Sequence, residues 1–85
     1  MSTLTIPQHY GYYVFYHLVL TAKYPFGKGP QEVFNIEQTI DVLTSLRGLT
    51  VTRKMLESML KVRFKGSDQK PARMVTWFIK NGIIG

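Results

Sequence analysis

The sequence contains no cysteine, and it has only five carboxylate side chains. Without cysteine, disulfide bridges and thiolate metal ligands are excluded. The apolar stretch at residues 10–22 is too short to span a bilayer, and no basic leader precedes it. We therefore expect neither a membrane-spanning helix nor a signal peptide. A cytoplasmic location in a cell interior fits these absences.

Catalytic and metal-binding groups are also scarce. His9 and His17 are eight residues apart, so a helix would bring them to one face, but two ligands without a third make a poor metal site. Glu37 and Asp41 are four residues apart, and no nucleophile or glycine-rich phosphate loop accompanies them. We expect these two carboxylates to complement a helix N-terminus. The sequence thus predicts no enzyme, no catalytic residue, no metal and no cofactor.

Positive charge is abundant, and it is concentrated in the second half of the chain. Residues 47–85 hold nine Lys and Arg against two acidic residues, a net charge of +7, whereas residues 1–46 carry a net charge of −1. Such asymmetry predicts a polyanionic partner, with nucleic acid ahead of a membrane surface or an acidic protein. At 85 residues the chain is long enough for one domain with one modest core.

The segment from His9 to Tyr24 is apolar nearly all round, so its periodicity does not distinguish helix from strand. Its Tyr, Val and Phe content favours a strand, and Gly11 would cost an interior helix about 1 kcal/mol. Its length and the residues Leu18, Leu20 and Ala22 favour a helix. We interpret it as a helix that packs in the core and ends before Pro25.

Three later segments have clearer helical patterns. Residues 36–47 follow a candidate N-cap, Asn35, and end at Gly48, a candidate left-handed C-cap. A four-residue link, "LTVT", leads to a helix that Thr52 caps and that runs to about Phe64. The apolar stripes of these two helices are Ile36, Ile40, Leu43 and Leu46 in the first, and Met55, Leu56, Met59 and Leu60 in the second.

The last segment, "KPARMVTWFIKNGIIG", predicts a helix at about residues 70–81. Asp68 is the candidate N-cap, Pro71 suits the first turn, and Asn81-Gly82 ends the helix. The spacing predicts one apolar face and, opposite to it, one face that carries the positive charges. The apolar face is Met74, Val75 and Phe78, and the opposite face is Arg73, Thr76, Trp77 and Lys80. We interpret Trp77 as a partly buried core residue at the edge of this opposite face.

The phrases "LTSLRGLTVTRKMLESML" and "KPARMVTWFIKNGIIG" give this part of the chain a resemblance to the helix-turn-helix core of winged-helix domains, over about residues 36–85. The opening, "IPQHYGYYVFYHLVLTAKYPFG", looks like the first helix of winged-helix domains in phage and plasmid replication-initiation proteins. The resemblance implies a mostly α, compact helix-turn-helix domain over residues 1–85, with a short or missing wing. A minor β element is expected at the N-terminal segment or at the C-terminal end.

Two departures from the winged-helix pattern bear on these expectations. The turn "KVRFKGSDQK" is longer than the three or four residues usual for the motif. A winged helix would also continue beyond "NGIIG" into a two-stranded hairpin. Three alternatives remain: the wing is missing, the N-terminal segment supplies a strand, or the chain is a fragment of something longer.

We therefore expect a small regulator of phage, plasmid or mobile-element type that binds double-stranded DNA and reads the major groove with the last helix. Its predicted DNA-binding residues are Arg53, Lys54, Lys61, Arg63, Lys65, Lys70, Arg73, Thr76 and Lys80. A homodimer would suit a palindromic site, with the apolar N-terminal segment as its seam. The alternative is an inhibitor that binds a host nucleoprotein machine, such as RNA polymerase or a CRISPR effector. The third hypothesis is a structural or assembly domain cut from a larger protein. We expect no membrane partner.

Overall fold

The computed structural model describes residues 3–23, 30–64 and 71–85. Within these ranges the chain is mostly helical, with a small antiparallel sheet, as the sequence predicts. No helix in the described ranges has the length and apolar character needed to cross a bilayer. In chain order the elements are β1 (Thr3–Thr5), α1 (Tyr12–Thr21), α2 (Pro30–Ser45), β2 (Thr50–Thr52), α3 (Arg53–Arg63) and α4 (Pro71–Lys80).

Strand β1 pairs with β2 and is also bonded to Gly85. β1 pairs antiparallel with β2, with Leu4 opposite Val51, and both of these side chains are buried. Thr5 also exchanges two backbone hydrogen bonds with Gly85, at 2.9 and 3.3 Å. The N-terminal segment therefore supplies a strand, which is one of the three alternatives for this chain.

The N-terminal aromatic segment is a helix, as interpreted. Phe15 and Val19 are buried, and α1 packs on α2. Gly11 lies at the N-cap of α1, outside the helix interior. The free-energy cost of a glycine inside a helix therefore does not apply to α1. Burial of α1 against α2 outweighs the preference of its aromatic residues for strands.

Helix α2 begins earlier than the sequence predicts. It starts at Pro30, whose fixed φ suits a first turn, and not after Asn35. Asn35 is therefore not an N-cap: it is buried inside the helix, and its carbonyl accepts a hydrogen bond from Thr39. The prediction was wrong because Val33 and Phe34 are exposed, so the apolar stripe begins six residues after the helix does.

The buried face of α2 includes the predicted stripe and is wider than it. Ile36, Ile40 and Leu43 are buried as predicted, and Leu46 packs against the core while partly exposed. The additional buried side chains are Val42, Thr39 and Asn35. Helix α2 is this well buried because α1 packs on it from one side and α3 from another.

Helix α3 begins as predicted and buries a narrower face than predicted. The Thr52 hydroxyl accepts a hydrogen bond from the backbone N–H of Met55, at 3.1 Å. Leu56 and Leu60 are fully buried and Met59 is half-buried, but Met55 is 54% exposed. Spacing alone made Met55 a core candidate, whereas the contacts of α3 with α2 and α4 leave its side of the helix uncovered.

Two glycines in the left-handed region mark the ends of helical segments, as predicted. Gly48, with φ at 78°, follows α2, and its N–H donates to the Ile6 carbonyl. Gly82, with φ at 70°, follows α4. The chain then turns back so that Ile83 and Ile84 are buried against the core. The predicted N-cap of α4, Asp68, lies outside the described residues.

Candidate nucleic-acid interface

Helix α4 presents one exposed polar stripe. Arg73, Thr76 and Lys80 are exposed at spacings of three and four, while Met74, Val75 and Phe78 on the opposite face are buried, as the sequence predicts. The stripe borders a shallow, open hollow of about 350 Å³. The residues lining this hollow are Ala72, Arg73, Thr76, Trp77 and Lys80.

Helix α3 adds two lysines to the same surface. Lys54 and Lys61 are seven residues apart, so they lie above one another on α3, and both are exposed. They line a second hollow that reaches the start of α4 at Pro71 and Ala72. Because Ala72 lines both hollows, the two helices form one continuous surface. We call Lys54, Lys61, Arg73, Thr76 and Lys80 the basic face.

Arg53 lies between α3 and α4. Its Nε donates to a Glu57 carboxylate oxygen at 2.8 Å, and its Nη2 donates to the Ala72 carbonyl at 3.0 Å. The same Nη2 also donates to the Thr76 hydroxyl oxygen. Arg53 therefore links the first turn of α3 to α4, and its side chain is about two-thirds buried.

Arg63 lies apart from the basic face. Its Nη1 donates to an Asp41 carboxylate oxygen at 3.1 Å and to the Gln38 amide oxygen at 3.2 Å, both on α2. Arg63 and Lys61 are about 200° apart around α3, which explains why they face different neighbours. Arg63 is therefore a predicted DNA-binding residue that does not lie on the surface formed by Lys61, Arg73 and Lys80. Lys65 and Lys70 lie outside the described residues.

The ion pair with Arg63 also changes the interpretation of the two α2 carboxylates. Because α2 begins at Pro30, Glu37 and Asp41 are two or more turns inside the helix and do not complement its N-terminus. Asp41 instead links α2 to α3 through Arg63. No local pattern predicts this contact, because it joins residues that are 22 positions apart.

Trp77 is a core residue at the margin of the basic face, as interpreted. It is 9% exposed, and its ring meets that of Phe78 edge to face, with centroids 5.3 Å apart. Its remaining exposed edge lines the hollow beside Arg73 and Lys80. A ligand in that hollow would therefore contact an aromatic edge as well as two cations.

The opposite side of the molecule, where α1 meets α2, is aromatic and acidic. The rings of Tyr12 and Tyr16 stack with centroids 6.2 Å apart. Burial raises the pKa of Tyr12 above its usual value, and the nearby carboxylates of Glu37 and Asp41 raise this pKa further. The carboxylates of Glu37 and Asp41 on α2 therefore lie close enough to α1 to act on Tyr12.

The histidines and carboxylates of the described residues do not form a metal-binding group. Both His9 and His17 are exposed, and no three His, Asp or Glu side chains in the ranges 3–23, 30–64 and 71–85 converge.

The ion pair between Arg53 and Glu57 is a contact that the sequence analysis missed. A local signal for it exists, because two opposite charges four residues apart on a helix typically form such a pair.

Comparisons of the chain with protein-family models, with curated proteins and with solved structures found no match. The resemblance to winged-helix domains therefore stays a prediction.

Proposed function

We propose that the protein binds double-stranded DNA, as a small regulator of the type that phages, plasmids and mobile elements encode. The observation that supports this proposal is the basic face, a row of exposed cations on α4 flanked by two lysines of α3. An α-helix fits the major groove of B-DNA, and its outward side chains then reach base edges.

The residues of the basic face have different roles in this proposal. Arg73 has the fork of donors that matches the O6 and N7 acceptors of guanine, so it is the candidate for base recognition. Lys54, Lys61 and Lys80 are flexible point charges that suit phosphates. Phosphate contacts of this kind position a protein on DNA and make its affinity depend on salt.

The test is a fluorescence-anisotropy titration of a 20-base-pair random-sequence duplex at several salt concentrations. Removing two charges from the basic face with Lys54→Gln and Lys61→Gln should reduce the log–log salt slope by about two units. The matched control is Lys23→Gln with Arg47→Gln, which removes the same net charge from exposed positions that line neither hollow. Equal slopes for the two double variants would contradict a DNA-binding role for the basic face.

A second candidate function is binding to a protein, either a host nucleoprotein complex or a second copy of the chain. The observation that favours it is the outward side of α1, where Tyr13 is 85% exposed and Leu20 is 63% exposed. These two residues are seven positions apart, so they lie on one side of the helix. Aromatic side chains are enriched at protein interfaces.

The two candidate functions use different surfaces, so variants can separate them. Tyr13→Ser with Leu20→Ser should leave binding to the random duplex unchanged, because α1 packs on α2 and not on the basic face. If α1 is a dimer seam, the same variant should shift the mass measured by sedimentation from dimer to monomer. A wild-type protein that is monomeric at high concentration would exclude the dimer.

A further inference from the structure

Helix α2 contains three hydroxyl side chains, and each donates a hydrogen bond within the helix. The acceptor is the backbone carbonyl four residues earlier, which is a common local bond for Ser and Thr in helices. The three bonds run from Thr39 to Asn35, from Thr44 to Ile40 and from Ser45 to Asp41, at 2.9, 2.8 and 3.0 Å. A hydroxyl bonded in this way has no hydrogen left for a ligand.

Thr76 on α4 is bonded differently. The carbonyl four residues before it belongs to Ala72, and this carbonyl accepts from Arg53 Nη2. The same nitrogen donates to the Thr76 oxygen, so Thr76 acts as an acceptor towards Arg53. Within residues 3–23, 30–64 and 71–85 no group accepts a hydrogen bond from the Thr76 hydroxyl.

This arrangement fixes what Thr76 can offer to a ligand. A hydroxyl has one hydrogen to donate, and a donor already directed at its oxygen turns that hydrogen away from the donor. The positive guanidinium also polarises the hydroxyl, which makes it a better donor and a poorer second acceptor. Because Thr76 is exposed on the basic face, the hydrogen is available to solvent or to a ligand.

We propose that Arg53 is a positioning residue that makes Thr76 an outward hydrogen-bond donor, and that the nucleic acid bound at the basic face places an acceptor atom there. This inference rests on the proposed DNA-binding function. The acceptor is a phosphate oxygen or an acceptor atom on a base edge in the major groove. If it is on a base, cytosine is disfavoured at that position, because its major-groove edge offers an amino donor.

Substitutions at Thr76 test the donor. Thr76→Ser keeps the hydroxyl, whereas Thr76→Val keeps the shape and removes the hydrogen. The probes are the random 20-base-pair duplex and a duplex selected by the wild-type protein from a randomised pool. We expect Thr76→Val to weaken binding about fivefold to tenfold, and Thr76→Ser to stay within about twofold of the wild type.

The two probes distinguish the two sources of the acceptor. A loss of the same size on both duplexes identifies a phosphate oxygen, since phosphates are present in every sequence. A loss confined to the selected duplex identifies a base edge. Unchanged binding of Thr76→Val to both duplexes, with wild-type binding intact, would overturn the inference but not the proposed function.

Substitution of Arg53 tests its positioning role. Arg53→Lys keeps the positive charge but cannot bond Glu57, Ala72 and Thr76 together, because a lysine lacks the guanidinium fork. The Thr76 hydrogen would then turn inward to the Ala72 carbonyl, as the hydroxyls of α2 do. We expect Arg53→Lys to weaken DNA binding by about the same factor as Thr76→Val.

A double-mutant cycle separates positioning from a merely structural role. In the Thr76→Val background, Arg53→Lys should weaken binding by less than about twofold, since the donor is already absent. Arg53→Lys should still lower the melting temperature in the Thr76→Val background, because the bonds of Arg53 to Glu57 and to the Ala72 carbonyl do not depend on Thr76. Independent, multiplicative losses in affinity would overturn the positioning role. Absence of salt-dependent DNA binding by the wild type would remove both the proposed function and this inference.

Discussion

The two sides of this molecule differ in charge and in what their charged groups bind. Helices α1 and α2 carry three acidic residues and no Lys or Arg, whereas α3 and α4 carry six basic residues and one acidic residue. The acidic side is joined to the rest of the fold through Asp41 and Arg63. The basic side is exposed along two adjacent helices. The asymmetry between the halves of the sequence is therefore preserved as an asymmetry between two surfaces.

The arginines of α3 also differ from its lysines in what they bind. Arg53 and Arg63 bond to α4 and α2 respectively, so they join α3 to both neighbours. Lys54 and Lys61 point to solvent between them. This division follows the chemistry of the two side chains, because a guanidinium fork can bond several acceptors at once and an ammonium group is more strongly hydrated. Charge counting alone would have treated all four as equivalent.

The largest effect is expected from disrupting the α1–α2 side. Phe15→Ala removes a fully buried ring from the core and should cost about 3–5 kcal/mol of stability. A domain of this size has a small margin, so the whole molecule should unfold near room temperature, including a basic face that the substitution does not touch. Thermal unfolding followed by circular dichroism measures this. The control is Tyr13→Ala on the exposed side of α1, and equal melting temperatures for the two variants would show that Phe15 is not in the core.

The next effect distinguishes two arginines by their surroundings. Arg73→Ala should weaken binding to the selected duplex by about 1–3 kcal/mol, because a bidentate contact to guanine is lost. Arg63→Ala should leave DNA binding nearly unchanged, since its partners are on α2, and should lower stability by at most about 1 kcal/mol. Anisotropy titrations and thermal melts of both variants measure these effects. If Arg63→Ala weakened DNA binding more than Arg73→Ala did, the assignment of the interface to the basic face would be wrong.

A smaller effect is expected from a single lysine. Lys61→Ala should weaken all duplexes alike and reduce the log–log salt slope by about one unit, as the loss of one phosphate contact does. Lys23→Ala, at the end of α1, should leave the slope unchanged. The measurement is the same salt titration with random and selected duplexes. A sequence-dependent loss for Lys61→Ala would show that this lysine contacts a base and not a phosphate.

The sequence predicted helices wherever apolar spacing or a cap was distinctive, and it failed where tertiary contacts decide. Thr52, Gly48 and Gly82 were found because capping is local. The start of α2 was missed because its first turns carry no buried apolar stripe, and the exposure of Met55 was missed because it depends on which helices cover α3. The contacts of Arg53 with α4 and of Arg63 with α2 were not predicted, because they join residues that are far apart in the sequence. The outward residues of α4 could be predicted because a ten-residue helix with one apolar face has only one way to bury it.

The smallest effect concerns the acidic side and is a dependence of stability on pH. Because the folded protein raises the pKa of Tyr12, mainly by burial and then through Glu37 and Asp41, it holds this proton more tightly than the unfolded chain does. The stabilising contribution is therefore fully present below the ordinary tyrosine pKa of about 10, and it is lost as the pH rises through the higher folded value. Tyr12→Phe cannot ionise, so its free energy of unfolding should fall less between about pH 9 and pH 11 than that of the wild type. Urea unfolding at each pH measures this, with Tyr13→Phe on the exposed side of α1 as the matched control. If the two variants lost stability equally over this range, neither burial nor the carboxylates of α2 would be raising the pKa of Tyr12, and the electrostatic contrast between the two sides would be limited to the basic face.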